Sequence, residues 1–279
     1  MSTNFPGRLE SHVTYACGAG RSVDLTKAIL NGPNRPADAL SWEAISAAGR
    51  VVVTPDGRPI RSIITGRKRI VTGSYPSRKA GRTFPHESMN EHAFFMHSEV
   101  DTRVVDYRAQ PFRFEFVSDG AKLIYIADCV RLLEGNQVEV VEVKNDGRAL
   151  RDDKYVLKLN YVKAACEKLG WAFRIVFRDD LVLPTATYVN VQEVQSRRLV
   201  RFDASHGYTA VEVIQRAGGA VPLGRLAEAL GDRRRGSAIA KAMMVCRLID
   251  IDLSRPLSCD SPVRLVEQGA SHRSDGGAS

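Results

Sequence analysis

Two apolar stretches flank a three-residue turn, and each interrupts its apolar pattern with an acid. Residues 122–133 read Lys-Leu-Ile-Tyr-Ile-Ala-Asp-Cys-Val-Arg-Leu-Leu, and residues 137–144 read Gln-Val-Glu-Val-Val-Glu-Val-Lys, with Glu134-Gly135-Asn136 between them. A hairpin with that loop pairs residues whose numbers add to 270, which sets Asp128 opposite Glu142. Side chains alternate faces along a strand, so Glu142 and Lys144 share a face and Asp128 joins them. Opposed residues hold their Cβ atoms about 4.5–5.5 Å apart, and like charges placed so are destabilising, the more so when buried. A hard divalent cation relieves both penalties, because Mg²⁺ binds through one or two carboxylates plus water and phosphate oxygens. Lys144 is then placed to orient a water or to neutralise a phosphate. An ordinary edge-strand ion pair between Glu142 and Lys144 is the other reading of the same spacing.

The surrounding periodicity describes an α/β protein. A helix is expected to begin after Pro85 and run to about Ser98, with Met89, Ala93, Phe94 and Met96 at helical spacings. Strands are expected at Arg103–Arg108, Phe112–Val117, Lys122–Leu133 (as one unbroken run) and Gln137–Lys144. A well-patterned helix follows from Asp152 to Leu169, with an apolar stripe of Val156, Leu159, Val162, Cys166 and Leu169 and two acids at its N-terminal end. Gly170 stops it, and Trp171–Phe177 reads as a further strand. This order predicts a mixed sheet flanked by helices. Beyond Pro184, helix signals at Tyr208–Arg216, Leu223–Leu230 and Ser237–Leu248 precede two short strands, Ile249–Leu253 and Val263–Val266, a winged-helix-like order. The first 60 residues predict irregular structure with one hairpin, Val51–Val53 turning through Pro55-Asp56-Gly57. The chain thus divides into a basic, partly irregular N-terminal arm (1–80), an α/β domain (81–183), a winged-helix-like domain (184–267) and a disordered tail (268–279).

The net charge of +8 is unevenly spread. Residues 61–82 contain seven Lys/Arg and no acid, which suits either phosphate neutralisation or a solvated loop. On the first reading Arg67, Lys68, Arg69, Arg78 and Lys79 are the candidate DNA-binding residues. Arg233-Arg234-Arg235, before the third C-terminal helix, suits phosphates, an acidic partner or a solvated loop. Five scattered cysteines without a C-x-x-C pair argue against a disulfide framework and structural zinc. His92 and His97 are five apart and share no helix face. There is no phosphate-binding Gly-x-x-x-x-Gly-Lys-Ser/Thr loop, no Gly-x-Ser-x-Gly elbow, no membrane-length apolar run and no signal-peptide pattern, so a cytoplasmic protein is expected. Cys129, amid apolar neighbours, reads as a packed strand residue.

These residues carry a family resemblance. The stretch resembles the PD-(D/E)-x-K nuclease core, and more closely the TnsA endonuclease subunit of heteromeric transposons. The matching text is Glu87-Ser88-Met89-Asn90-Glu91, Val104-Val105-Asp106 leading to Gln110-Pro111, then Asp128, Glu142-Val143-Lys144, and Gly170-Trp171-Ala172-Phe173-Arg174. It covers about residues 70–180, and the C-terminal segment is similar to that family's second domain. The resemblance implies a restriction-endonuclease-like fold and a metal-dependent DNA endonuclease that cuts the 5′ ends of a mobile element. It implies Glu91 as the helix-borne acid; Glu87, four residues earlier on the same side of the helix, is the alternative. It further implies Asp128, Glu142 and Lys144 as catalytic residues, and Asp128, Glu142 and the Val143 carbonyl as ligands of Mg²⁺ or Mn²⁺. Ala127 stands where many relatives have proline, which is not a ligand. Double-stranded DNA, a DDE-type transposase subunit and an AAA+ ATPase regulator are the implied partners. A stand-alone restriction or repair nuclease, and a non-catalytic DNA-docking subunit, are the alternatives.

Overall fold

The computed structural model describes residues 25, 49–53, 59–60, 72–118 and 121–267. The expected tail, the loop through Pro55-Asp56-Gly57, and Arg67, Lys68 and Arg69 lie outside the described residues. Strand β1 (Gly49–Val53) leads to a hairpin of β2 (Gly73–Ser77) and β3 (Arg82–His86), then helix α1 (Met89–Val100). Strands β4 (Val104–Ala109), β5 (Phe112–Ser118), β6 (Ala121–Ile126), β7 (Cys129–Leu133) and β8 (Val138–Lys144) follow. Helix α2 (Asp153–Lys168) crosses over to β9 (Ala172–Phe177), and α3 (Arg178–Val182) and α4 (Thr185–Ser196) close this part. The remainder is α5 (Ala204–Arg216), β10 (Ala220–Pro222), α6 (Leu223–Ala229), α7 (Arg233–Val245), β11 (Ile249–Ile251) and β12 (Pro262–Leu265). No helix among the described residues is long and apolar enough to cross a membrane.

The central sheet runs β4-β7-β8-β9, antiparallel except for the parallel β8–β9 pair that the α2 crossover makes feasible. Strand β8 is buried on both faces, which is why its sequence is nearly continuously apolar. Val138 and Val140 pack towards α2 with Val130, Leu132, Leu159, Val162 and Cys166. Val141 and Val143 pack the other way, with α1 and the C-terminal helices. Cys129 pairs with Val141 and Leu132 with Val138, so the expected hairpin register holds. Gly135 and Asn136 supply it by adopting φ +71° and +62° in the turn.

The expected run Lys122–Leu133 is two strands in two sheets. Strand β6 belongs to a separate sheet, β1-β5-β6, while β7 belongs to the central one. The break is a bulge. Ala109 pairs with Cys129 and Arg113 with Ile126, leaving Gln110, Pro111 and Phe112 to face only Ala127 and Asp128. Gln110 takes φ +46°, and its N–H donates to the Asp128 carbonyl at 3.2 Å. Val51–Val53 is a strand as expected, and it pairs with Phe112–Phe114 of β5.

Other differences have similarly local causes. The hairpin β2–β3 spans position 80, within what the sequence suggested was the end of an irregular arm. It folds because Tyr75, Ala80 and Phe84 are buried beside α1. Helix α1 starts three residues later than expected, at its cap Ser88, whose hydroxyl accepts from the Glu91 N–H. Met89 is exposed and takes no part in the core. Helices α3 and α4 precede the first C-terminal helix that periodicity revealed, and β10 adds a third strand, in the order β10-β12-β11, to the expected two.

Candidate active site

The open end of the β7–β8 hairpin, opposite its turn, brings Asp128, Glu142 and Lys144 together. Asp128 lies where β6 gives way to β7, and its Oδ2 accepts from the Val143 N–H at 2.8 Å. Glu142 is 3% exposed and accepts three donors. The Lys144 ammonium lies 2.5 Å from Oε1, the Tyr155 hydroxyl donates to the same oxygen, and the Tyr125 hydroxyl donates to Oε2 at 2.6 Å. Burial first, then the charge of Glu142, push the Asp128 carboxyl up to about 8; Glu91 adds to the rise and Lys144 opposes it. Burial works against the Lys144 charge, but Glu142 beside it holds the ammonium above the usual lysine range. The Tyr125 and Tyr155 phenols are pushed well up by burial and by Glu142, which keeps both as donors.

Glu91 lies in the first turn of α1, and its charge contributes to the rise of the Asp128 carboxyl. It also has a local task. Its Oε2 accepts from the Glu87 N–H at 2.9 Å and its Oε1 from the Ser88 hydroxyl at 3.3 Å, tying the helix start together.

Two of the residues expected to contact DNA have partners within the protein. The Lys79 side chain is 1% exposed, and its ammonium donates to the carbonyls of Ser98 at 3.1 Å and Asp101 at 2.6 Å. It caps the end of α1 and is not presented to a nucleic acid. One Arg78 nitrogen donates to the carbonyls of Arg198 and Val200, and its guanidinium lies over the Phe202 ring. Arg78 therefore fastens the β2–β3 hairpin to the segment before α5. Arg233, Arg234 and Arg235 lie inside the first turn of α7 rather than before it, and the Asp232 carboxylate accepts the N–H groups of the latter two. Cys129 is fully buried, as a packed strand residue should be.

Tyr125 and Tyr155 are the residues that reading the sequence missed. Tyr155 had a signal, since it lies four residues before Leu159 on the buried stripe of α2. Tyr125 had none, because in an unbroken strand it and Asp128 would point to opposite faces.

Among the described residues, no three His, Cys, Asp or Glu side chains gather closely enough to form a metal cage by themselves. The donor set is instead two opposed carboxylates. Glu142 has three of its roughly four acceptor positions filled, and the protein bond to Asp128 is to Oδ2. Such a set fits Mg²⁺, which keeps water and phosphate oxygens in much of its shell, better than a metal needing an all-protein cage.

A mixed sheet with a helix on each face, carrying an acid pair and a lysine at one end, is compatible with an α/β nuclease fold. Residues 101–177 match the family model described as the TnsA-like endonuclease N-terminal domain. The match supports a TnsA-like endonuclease N-terminal domain in that segment, which holds Asp128, Glu142, Lys144 and both tyrosines and is well under half of the chain. Among solved structures, protein VC1899 from Vibrio cholerae is similar over 38% of this chain and 31% of its own, at 14% identity and a TM-score of 0.21. The chain therefore spans less than a third of that protein's length. No curated protein matches the chain.

Proposed function

We propose that the chain is a metal-dependent DNA endonuclease, cutting the 5′ ends of a mobile element as the TnsA-like subunit of a heteromeric transposase. The observation that carries this reading is the gathering of Asp128, bonded to the Val143 N–H, with Glu142 and its partner Lys144 at the open end of the β7–β8 hairpin. Asp128, Glu142 and the Val143 carbonyl would hold Mg²⁺ or Mn²⁺. When bound, the cation supplies Lewis-acid polarisation of the phosphoryl group and acidifies a water. The protein's own contributions are distinct. Tyr125 and Tyr155 fix the rotation of the Glu142 carboxylate, and the Val143 N–H fixes Asp128. Lys144, pinned to Glu142 in the free site, carries the positive charge that orients the attacking water and offsets charge on the phosphate. Glu91, on α1, would add its negative charge to the surroundings of Asp128.

Elements α5, β10, α6, α7, β11 and β12 succeed one another in the order of a winged helix, and we read residues 184–267 as such a domain. A DDE-type transposase and an AAA+ ATPase are its proposed protein partners, and the cytoplasm its proposed location. Asp128→Ala and Lys144→Ala should each abolish Mg²⁺-dependent cleavage of duplex DNA by the full chain while leaving DNA binding largely intact. Full cleavage by both variants in a purified assay would overturn this active site.

A further inference from the structure

Tyr155 does more than hold Glu142. The ammonium groups of Lys144 and Lys158 each lie 5.2 Å from the centroid of its ring. The two charges are therefore within about 10 Å of one another. Lys158 follows Tyr155 by three residues on α2, so the two share a helix face, and that face meets the β8 end bearing Glu142. Lys158 is half-buried, whereas Lys154, Lys163 and Lys168 on the same helix are exposed.

The two lysines differ in what binds them. Lys144 is committed to Glu142, and Lys163, further along α2, lies 3.9 Å from Glu167. Lys158 has no carboxylate partner among the described residues, and its contact is the Tyr155 ring. A cation over an aromatic face at a partly exposed site is worth only about 0.5–1 kcal/mol. A charge held that weakly beside a buried anion pair is available to an anionic ligand. Successive phosphates of one strand climb about 3.4 Å along the duplex axis, so two cations within about 10 Å of one another can serve one phosphate and its neighbour.

We propose that Lys158 is a second phosphate-binding residue of this site, gripping a backbone phosphate beside the one being cut, with the Tyr155 ring as the spacer between it and Lys144. The inference rests on the nuclease reading and deepens it by assigning where the uncut part of the strand is held.

The test is DNA binding by the full chain as a function of salt, with Ca²⁺ in place of Mg²⁺. Lys158→Gln should weaken binding and flatten the plot of log affinity against log salt by about 0.9, the effect of one lost phosphate contact. Lys163→Gln should leave the plot unchanged. Tyr155→Ala, which removes the spacer, should flatten it as Lys158→Gln does, and Tyr155→Phe, which keeps the ring, should not. The rise in melting temperature that Ca²⁺ gives the wild type should persist in Lys158→Gln, which also shows that the variant is folded. If wild type binds DNA with a clear salt dependence and Lys158→Gln has the same slope, this assignment fails and the nuclease reading stands. If wild type neither binds DNA nor responds to the cation, both fail.

Discussion

Asp106 and Arg108 alternate onto one face of β4, and both are cut off from solvent, at 0% and 2% exposure. The Arg108 Nη1 lies 2.6 Å from Asp106 Oδ1, yet Asp106 Oδ2 and the Arg108 Nε and Nη2 have no partner among the described residues. An ion pair this dry and incompletely satisfied costs desolvation energy that its attraction recovers only in part. Burial accordingly pushes the Asp106 carboxyl up to about 7, with Arg108 pulling it back. An aspartate in the unfolded chain ionises near 4. Between pH 4 and 7 the folded state therefore holds a proton that the unfolded state has lost, and stability falls as pH rises, by at most about 1.4 kcal/mol per pH unit. Asp106→Asn lacks this term. In thermal melts, the stability advantage of wild type over Asp106→Asn should narrow from pH 4 to pH 7. An advantage that widens over that range would mean the pairing with Arg108 outweighs the burial.

At the scale of elements, the contact of α6 with α7 is set by a missing side chain. A Cβ built on Gly236 would stand 1.9 Å from the carbonyl oxygen of Ala227, backbone in the facing helix with no flexible tip to yield. Gly236→Ala must therefore move one helix against the other. Overpacking of this kind costs about 1–3 kcal/mol or more. Denaturant unfolding should show a lower midpoint at unchanged slope, and an unaltered midpoint would mean the two helices are free to separate. The close crossing also bears on what α7 can do. From Ile239 to Val245 every residue of α7 is buried, so this third helix of the C-terminal unit is open to a ligand towards its start, at the exposed Arg233, Arg234 and Arg235 and the half-buried Ser237 and Ala238.

At the scale of the molecule, the turn of the β7–β8 hairpin is clasped by the end of α7. Arg247 takes φ +61°, its Nε donates to the Thr102 carbonyl at 2.6 Å, and its Nη2 pairs with Glu134 in the turn. The Thr102 hydroxyl reaches Asp250 Oδ1 at 3.0 Å beside it. A second clasp joins the β2–β3 hairpin to the segment after α4, where Arg198 donates to the Pro76 carbonyl and lies over Tyr75. The strands carrying Asp128 and Glu142 are thus held at their far end by the C-terminal unit. Hydrogen bonds to charged groups are worth about 1.5–3 kcal/mol each. Arg247→Ala should lower stability by about that amount and speed amide exchange at Leu133 and Glu134. Unchanged stability and exchange would show that the two parts stand independently.

The β7–β8 register, which leads from Cys129 opposite Val141 towards Asp128, Glu142 and Lys144, was legible in the residues alone. A three-residue turn fixes register and strand alternation fixes face, and both are local rules. The helix α2 and the strand β9 were legible for the same reason, since period and punctuation lie within each segment. The split of residues 122–133 between two sheets was not, because its cause is a bulge at Gln110, between β4 and β5. Nor were the fates of Arg78 and Lys79 legible. In sequence they are two more cations in an acid-free run, and only the fold sets the carbonyls of Ser98, Asp101, Arg198 and Val200 around them. Tyr125 met Glu142 only once the chain had bent at Ala127. Short-range order follows from neighbouring residues, whereas which groups lose water and which partners replace it depends on the whole packed chain.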